Sequence, residues 1–315
     1  MNNTKKIIKY CVLGLAIFFF IITLLGYTNL GNLSITESSE NIFVNIENEK
    51  IRISQKGNGK DILLIHGSPG SIEDWNSIVD ALAKTYRVTT FDRAGHGFSS
   101  SNEYTYHIKD NAILVERLIE QLGLKDPLIV GHSYGGSTAA YMAVHSDLKE
   151  LKYIILDSPL YKSRSRGIYK LISTPVIGKG IALASSYTIA NSQIRDGVTP
   201  IFKSIKEEKI QELVKERQRM WSQPKVIYTK SMESINYQDD LNLISHKYKN
   251  IVSDITIITA KDSINTLRKD CEKFHSEVLN SELIILDNTG HYIQFDKSND
   301  LIEVIHRKMS NQFRP

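Results

Sequence analysis

Cysteine is nearly absent from this chain. The two that occur in 315 residues are Cys11, inside an apolar N-terminal run, and Cys271, in a polar helical pattern far downstream. A pair so placed supports no disulfide framework and leaves the redox compartment open. Excess charge of one sign is scarce as well: the net charge is +4, and Lys5, Lys6 and Lys9 supply most of it. The nearly neutral remainder offers no footprint for nucleic acid. There is no His, Cys and carboxylate cluster with metal-ligand spacing, no G-x-G-x-x-G and no P-loop, so no metal and no cofactor is expected. Internal repeats and low-complexity tracts are missing too.

What is present begins with "MNNTKKIIKYCVLGLAIFFFIITLLGY", in which three lysines precede an uncharged stretch from Tyr10 to Tyr27. That length suits a bilayer-spanning helix, and the lysines favour a cytoplasmic N-terminus with the rest of the chain outside. The alternative is a cleaved secretory signal. Against it, "LLGYTNLGNLSITESSE" has no A-x-A-like site and no lipobox precedes Cys11. Residues 1–27 are therefore expected to be a cytoplasmic stub and membrane anchor, and residues 28–41, rich in Ser, Asn, Thr and Gly, a linker.

From residue 42 the pattern is globular, with 41% hydrophobic and 23% charged residues overall. The alternating "IFVNIE" and "KIRIS" predict two antiparallel strands. "DILLIHG", "RVTTFD", "PLIVG" and "LKYIILD" follow as apolar strands separated by helical patterns, and "DITIITA" and "ELIILD" resume the series after a long interval. Such alternation specifies an α/β fold, a mostly parallel sheet with helices on both faces. The core is then split into residues 42–159 and 251–315. The intervening residues 160–250 read as a helical lid inserted in the sheet, since a structureless loop of that length is improbable. Within it, Thr199 and Pro200 are expected to cap and open a helix carrying Ile201, Ile205, Ile210, Leu213 and Val214 on one face.

The stretch "PLIVGHSYGGST" carries the chemistry. A bare G-x-S-x-G arises by chance in on the order of one chain in ten of this length, so its context decides. Here a buried strand passes directly into a helix of small residues, a sharp turn in which only glycine is comfortable two residues either side of Ser133. The hydroxyl is pushed out at the C-terminal sheet edge, and the Tyr134 amide lies at a helix N-terminus, ready to donate to an oxyanion.

At several separate places the sequence resembles the α/β-hydrolase superfamily. "HGSPGS" (66–71) resembles its oxyanion turn, "FDRAGHGFSS" (91–100) its second turn, "GHSYGG" (131–136) its nucleophile elbow, and "TAKDSIN" and "NTGHYIQFD" its acid and histidine segments. The resemblance covers about residues 42 to 310 and implies an eight-stranded sheet with a lid-bearing, esterase- or lipase-like serine branch. It implies Ser133 as nucleophile and His291 as base, with Asp262, just past "DITIITA", completing the order Ser, Asp, His. Asp157, after the preceding strand in "LDSP", is the rival acid, a position some family members use. The backbone amides of Ser68 and Tyr134 are the expected oxyanion donors.

Of the remaining histidines, His107, His145, His246, His275 and His306 read as core or surface residues, and His66, His96 and His132 as loop-shaping. Asp92 is expected to stabilise its own turn through Arg93 and local amides. Family members that are dehalogenases or epoxide hydrolases carry aspartate where Ser133 stands, so a serine hydrolase of carboxylic esters with an apolar acyl substrate is the implied activity. A prolyl aminopeptidase ("HGSPG" resembles that group's "HGGPG"), an acyltransferase and a catalytically silent binding module are the competing readings. Apolar residues of the lid, Ile201, Phe202, Met220 and Trp221 among them, are expected to face the site.

Overall fold

The computed structural model describes residues 2–38, 42–102, 104–145, 151–163 and 167–310. Residues 39–41 of the expected linker, 103 and 146–150 of the core and 164–166 of the insertion lie outside that range. The N-terminal run forms one helix, α1 (Asn2–Leu25), with Asn3–Leu25 long and apolar enough to cross a membrane or act as a signal sequence; its side chains from residue 3 to residue 21 are exposed, and Ile22 and Thr23 are partly covered.

Eight strands follow in a single sheet: β1 (Ile42–Ile46), β2 (Glu49–Lys56), β3 (Asp61–Ile65), β4 (Arg87–Phe91), β5 (Leu128–His132), β6 (Tyr153–Leu156), β7 (Ile255–Ala260) and β8 (Ser281–Leu286). Their spatial order is β1-β2-β4-β3-β5-β6-β7-β8. The β1–β2 and β2–β4 pairs are antiparallel, and every pair from β4 onward is parallel. The two kinds of strand pattern in the sequence correspond to these two kinds of pairing.

Successive side chains of a strand point to opposite faces, and here both faces are covered. Leu63, Ile65, Ile129, Ile155 and Ile257 join the core on one side, beneath α3 (Ile108–Gln121), α4 (Tyr134–His145) and α10 (Asn265–Glu277). Ile62, Leu64, Val130, Ile154 and Ile258 join Trp75, the short α2 (Val79–Leu82) and Leu301 and Ile305 on the other. Double-sided burial is why these strands read as continuous apolar runs rather than alternating ones.

Between β6 and β7 come α5 (Gly167–Ile172), α6 (Gly178–Thr188), α7 (Ala190–Val198), α8 (Glu207–Trp221) and α9 (Pro224–Ser245). The chain closes with α11 (Ile293–Asp296) and α12 (Ser298–Ser310). One expectation fails within the insertion. Thr199 ends α7 rather than capping a new helix, its hydroxyl donating to the Arg195 carbonyl at 2.9 Å, and Phe202 is extended. The reason lies outside the segment: the Asp296 carboxylate accepts from the amides of Lys203 and Ser204 at 2.9–3.0 Å. Helix resumes at Glu207, with Glu207 and Glu208 in the first turn, where the helix dipole favours acids.

Candidate active site

Ser133 occupies the single residue between β5 and α4, with φ at +54°. A non-glycine residue in the left-handed region costs energy unless its surroundings hold it there. They do: its amide donates to the Leu156 carbonyl at 2.9 Å, and its carbonyl accepts from Gly136 at 2.9 Å. The flanking glycines are forced by the same turn. A Cβ on Gly131 would lie 2.3 Å from the Gly135 carbonyl oxygen, and one on Gly135 only 2.2 Å from that of Ile65.

Ser133 opens into a cavity of about 770 Å³ whose floor includes Gly67, Ser68, Tyr134 and His291. As the first residue of α4, Tyr134 has an N–H with no carbonyl to meet inside the helix. Gly67 approaches so closely that an added Cβ would stand 3.0 Å from the Ser133 Cβ. Ser68 lines the cavity, and its carbonyl accepts from the Lys230 ammonium at 3.2 Å. Nothing in the sequence marks Lys230 as a cavity residue; only the path of α9 brings it there.

His291 lies on the loop after β8, and its Nδ1 stands 2.7 Å from Oδ2 of Asp157, a carboxylate with no solvent exposure. Asp157 Oδ1 accepts from the Thr259 hydroxyl at 2.7 Å, and Oδ2 also accepts from the Ser263 hydroxyl. The expected partner, Asp262, is instead exposed, its amide donating to the Thr289 carbonyl at 3.2 Å. Strand order explains the correction. β6, which Asp157 follows, is the immediate neighbour of β5, whereas β7 lies one strand further out. The carboxylate nearer the serine's own strand reaches the imidazole, and the turn after β7 sends its adjacent serine inward and its aspartate to solvent. Thr259 and Ser263, which hold the carboxylate, flank Asp262 within "TAKDSIN", a segment in which only the aspartate suggested a role.

The other histidines of the motifs are structural. Burial pushes His66 and His132 well below the usual imidazole range and His96 down to about 4, so all three are neutral near pH 7. His66 donates from Nδ1 to the Gly67 carbonyl and accepts the Arg93 amide at Nε2, at 2.8 and 2.9 Å. His132 Nε2 donates to the His291 carbonyl at 2.9 Å. Asp92 accepts from the amides of Ile72 and Phe98, but its cationic partner is Arg52, at 3.3 Å, and not Arg93.

Arg93 is fully buried and turns to Glu233 of α9, at 2.6 and 3.1 Å, to the Gly67 carbonyl at 2.9 Å and to the Tyr134 ring. Burial alone would raise the Glu233 carboxyl, yet Arg93 and His96 hold it well below its ordinary value. This network ties the insertion to the segments that carry Gly67 and Tyr134. The insertion roofs the cavity with Ile172, Ile194, Ile201, Trp221 and Val226. Phe202 and Met220 do not line it; they pack with Leu213 of the insertion and with Tyr292 of the segment after β8. Among the described residues, no three His, Cys, Asp or Glu side chains converge as metal ligands.

The strand order and the serine turn are those of the α/β-hydrolase fold, and residues 61–171 match the family model described as alpha/beta hydrolase fold. Among solved structures, a bromoperoxidase from Bacillus anthracis aligns with a TM-score of 0.71 at 19% identity, covering 86% of this chain and 100% of that one. An esterase from Exiguobacterium antarcticum aligns with a TM-score of 0.70 at 19% identity, over 85% and 99% of the two chains. In sequence, the chain is 30% identical over 162 residues to the dihydrolipoyllysine-residue acetyltransferase component of the acetoin cleaving system of Cupriavidus necator, matching 50% of this chain and 38% of that protein. The chain thus spans well under half of the curated relative's length.

Proposed function

We propose that this protein is a serine hydrolase of carboxylic esters with apolar acyl groups, working through Ser133, His291 and Asp157. Asp157 accepts a hydrogen bond from Nδ1–H of His291, which leaves Nε2 as the lone-pair nitrogen. A serine hydroxyl alone is too weak a nucleophile at neutral pH, so Nε2 takes the Ser133 proton as Oγ attacks the substrate carbonyl. The buried carboxylate stabilises the imidazolium that results. Negative charge on the carbonyl oxygen is met by the amides of Ser68 and Tyr134, fixed dipoles that need no reorganisation; one such donor is typically worth about 10²–10³ in rate. His291 then protonates the departing alkoxide, and water admitted to the site repeats the sequence on the acyl-enzyme.

The observation that carries this reading is Ser133 held at positive φ in a cavity shared with a histidine whose Nδ1 lies 2.7 Å from a buried carboxylate. The helices over the cavity act as a lid: their apolar side chains remove water and favour an apolar acyl chain at about 25 cal/mol per Å² buried. The test is covalent labelling by a fluorophosphonate together with hydrolysis of p-nitrophenyl esters. Wild type labels and turns over, and Ser133→Ala does neither while keeping its far-UV circular dichroism. Wild-type turnover in Ser133→Ala would overturn the mechanism, and absence of labelling in the wild type would leave the silent-module reading in its place.

A further inference from the structure

The end of α1 is packed against the insertion. An added Cβ on Gly26 would lie 2.5 Å from the Gly180 amide nitrogen, and one on Gly180 only 2.8 Å from the Cα of Thr23, so the two backbones touch. The Lys179 ammonium sits 4.8 Å from the Tyr27 ring centroid. Just beyond, the Leu33 amide donates to Gln223 at 2.9 Å, and Asn32 accepts the Lys225 amide at 3.0 Å. The candidate span Asn3–Leu25 has 23 residues, with Lys5, Lys6 and Lys9 in its first two turns, and with those lysines reaching out to the headgroups its rise of about 1.5 Å per residue slightly exceeds a hydrocarbon layer of about 30 Å. Thr23 then stands at the edge of that layer, and α6, resting on Thr23, stands at the same level.

The surface that α5 and α6 present there is apolar and basic. Leu171 is 51% and Val176 67% exposed, with Ile177 and Tyr187 exposed beside them. Residues 167–189 contain Lys170 and Lys179 and no aspartate or glutamate. The same two helices line the catalytic cavity through Tyr169, Ile172 and Ser185, and Ile168 and Ile189 are both cavity-lining and exposed, which puts the cavity's rim on this surface.

We infer that the α5–α6 face rests on the bilayer spanned by α1, and that the cavity over Ser133 takes an acyl amphiphile from that bilayer. The inference rests on α1 as a span and, for its second half, on the serine-hydrolase reading. Continuity with the α1–α6 contact selects the bilayer as the occupant, and the two lysines without neighbouring acids suit anionic headgroups. Seated there, the rim meets lipid, and an acyl chain can pass to Ser133 with little exposure to water.

The experiment uses the full chain in phosphatidylcholine vesicles containing phosphatidylglycerol. Tryptophan is placed by Val176→Trp or, at a fully exposed site before β8 on the opposite edge of the sheet, by Leu279→Trp. Dibrominated lipid should quench the first at least about twofold more than the second. Equal quenching overturns the membrane seat. Separately, Leu171→Glu with Val176→Glu, neither of which lines the cavity, should slow hydrolysis of vesicle-borne p-nitrophenyl palmitate by about tenfold or more, because lipid contact is what those side chains supply. Turnover of dissolved p-nitrophenyl acetate should change by less than about twofold, since the site is untouched. Equal loss on both esters overturns the route from the bilayer. A wild type inert to both esters and to fluorophosphonate overturns the hydrolase reading and with it that route, while quenching still decides the seat.

Discussion

Asp157 and Asp262 are the same side chain on loops after adjacent strands, and the difference between them is burial and company. Asp157 has no solvent exposure, accepts from two hydroxyls and faces His291, whereas Asp262 is exposed. Under the proposed mechanism Asp157→Asn removes control of the imidazole tautomer. Ester turnover should fall by about 10⁴, as it does in comparable triads. Asp262→Asn should stay within about twofold, the usual range for a surface change away from special features. Turnover by the two purified variants decides; the reverse result would restore Asp262. The serine turn was legible because glycine at 131 and 135 is a steric necessity that sequence records directly. The carboxylate was not, because two strands end in aspartate and only the sheet order chooses.

At the scale of elements, α9 and α8 do different work. Through Glu233, α9 is fastened to Arg93, with both side chains fully buried. Removing one partner of such a pair leaves an uncompensated buried charge, at a cost of about 3–5 kcal/mol. For a domain of this size Glu233→Ala should therefore lower Tm by roughly 10 °C in a thermal melt. An unchanged Tm would mean that the pair contributes nothing net. The last turn of α8 puts Trp221 on the cavity wall, while Phe202, just before α8, packs on Tyr292. Trp221→Ala should cut the octanoate-to-acetate turnover ratio by about tenfold, for loss of some 60 Å² of apolar contact. Phe202→Ala should leave that ratio alone and cost about 3–5 kcal/mol of stability instead. Composition marked Trp221 and Phe202 only as apolar residues of the insertion; it could not say whether each would face the cavity or the protein's own packing.

For the whole molecule, the N-terminal helix decides where the folded domain resides, as a span or as a signal sequence. Lys5, Lys6 and Lys9 precede the apolar run, and positive residues are retained in the cytoplasm. A reporter active only outside the cytoplasm should therefore work when fused after residue 45, and sequencing of the mature protein should begin within the first residues of the chain. A mature N-terminus near residue 30 would show that the helix is a cleaved signal, and the α1–α6 contact would then be lost on processing.

Local sequence alone determined the eight strands, the helical character of the segments between them, the position of Ser133 and the apolar character of the N-terminal helix. Each depends on periodicity or on backbone sterics within a few residues. Tertiary structure decided what depends on neighbours distant in the chain. Asp157 meets His291 across 134 residues because β6 lies beside β5. Asp296 captures the amides of Lys203 and Ser204 and delays α8 to Glu207. Gly180 meets the last turn of α1, where two glycines let the backbones touch. In all three cases the partners come from separate segments, and no pattern within one segment can encode which of several equivalent groups will lie within 3 Å of another once the sheet has ordered its strands.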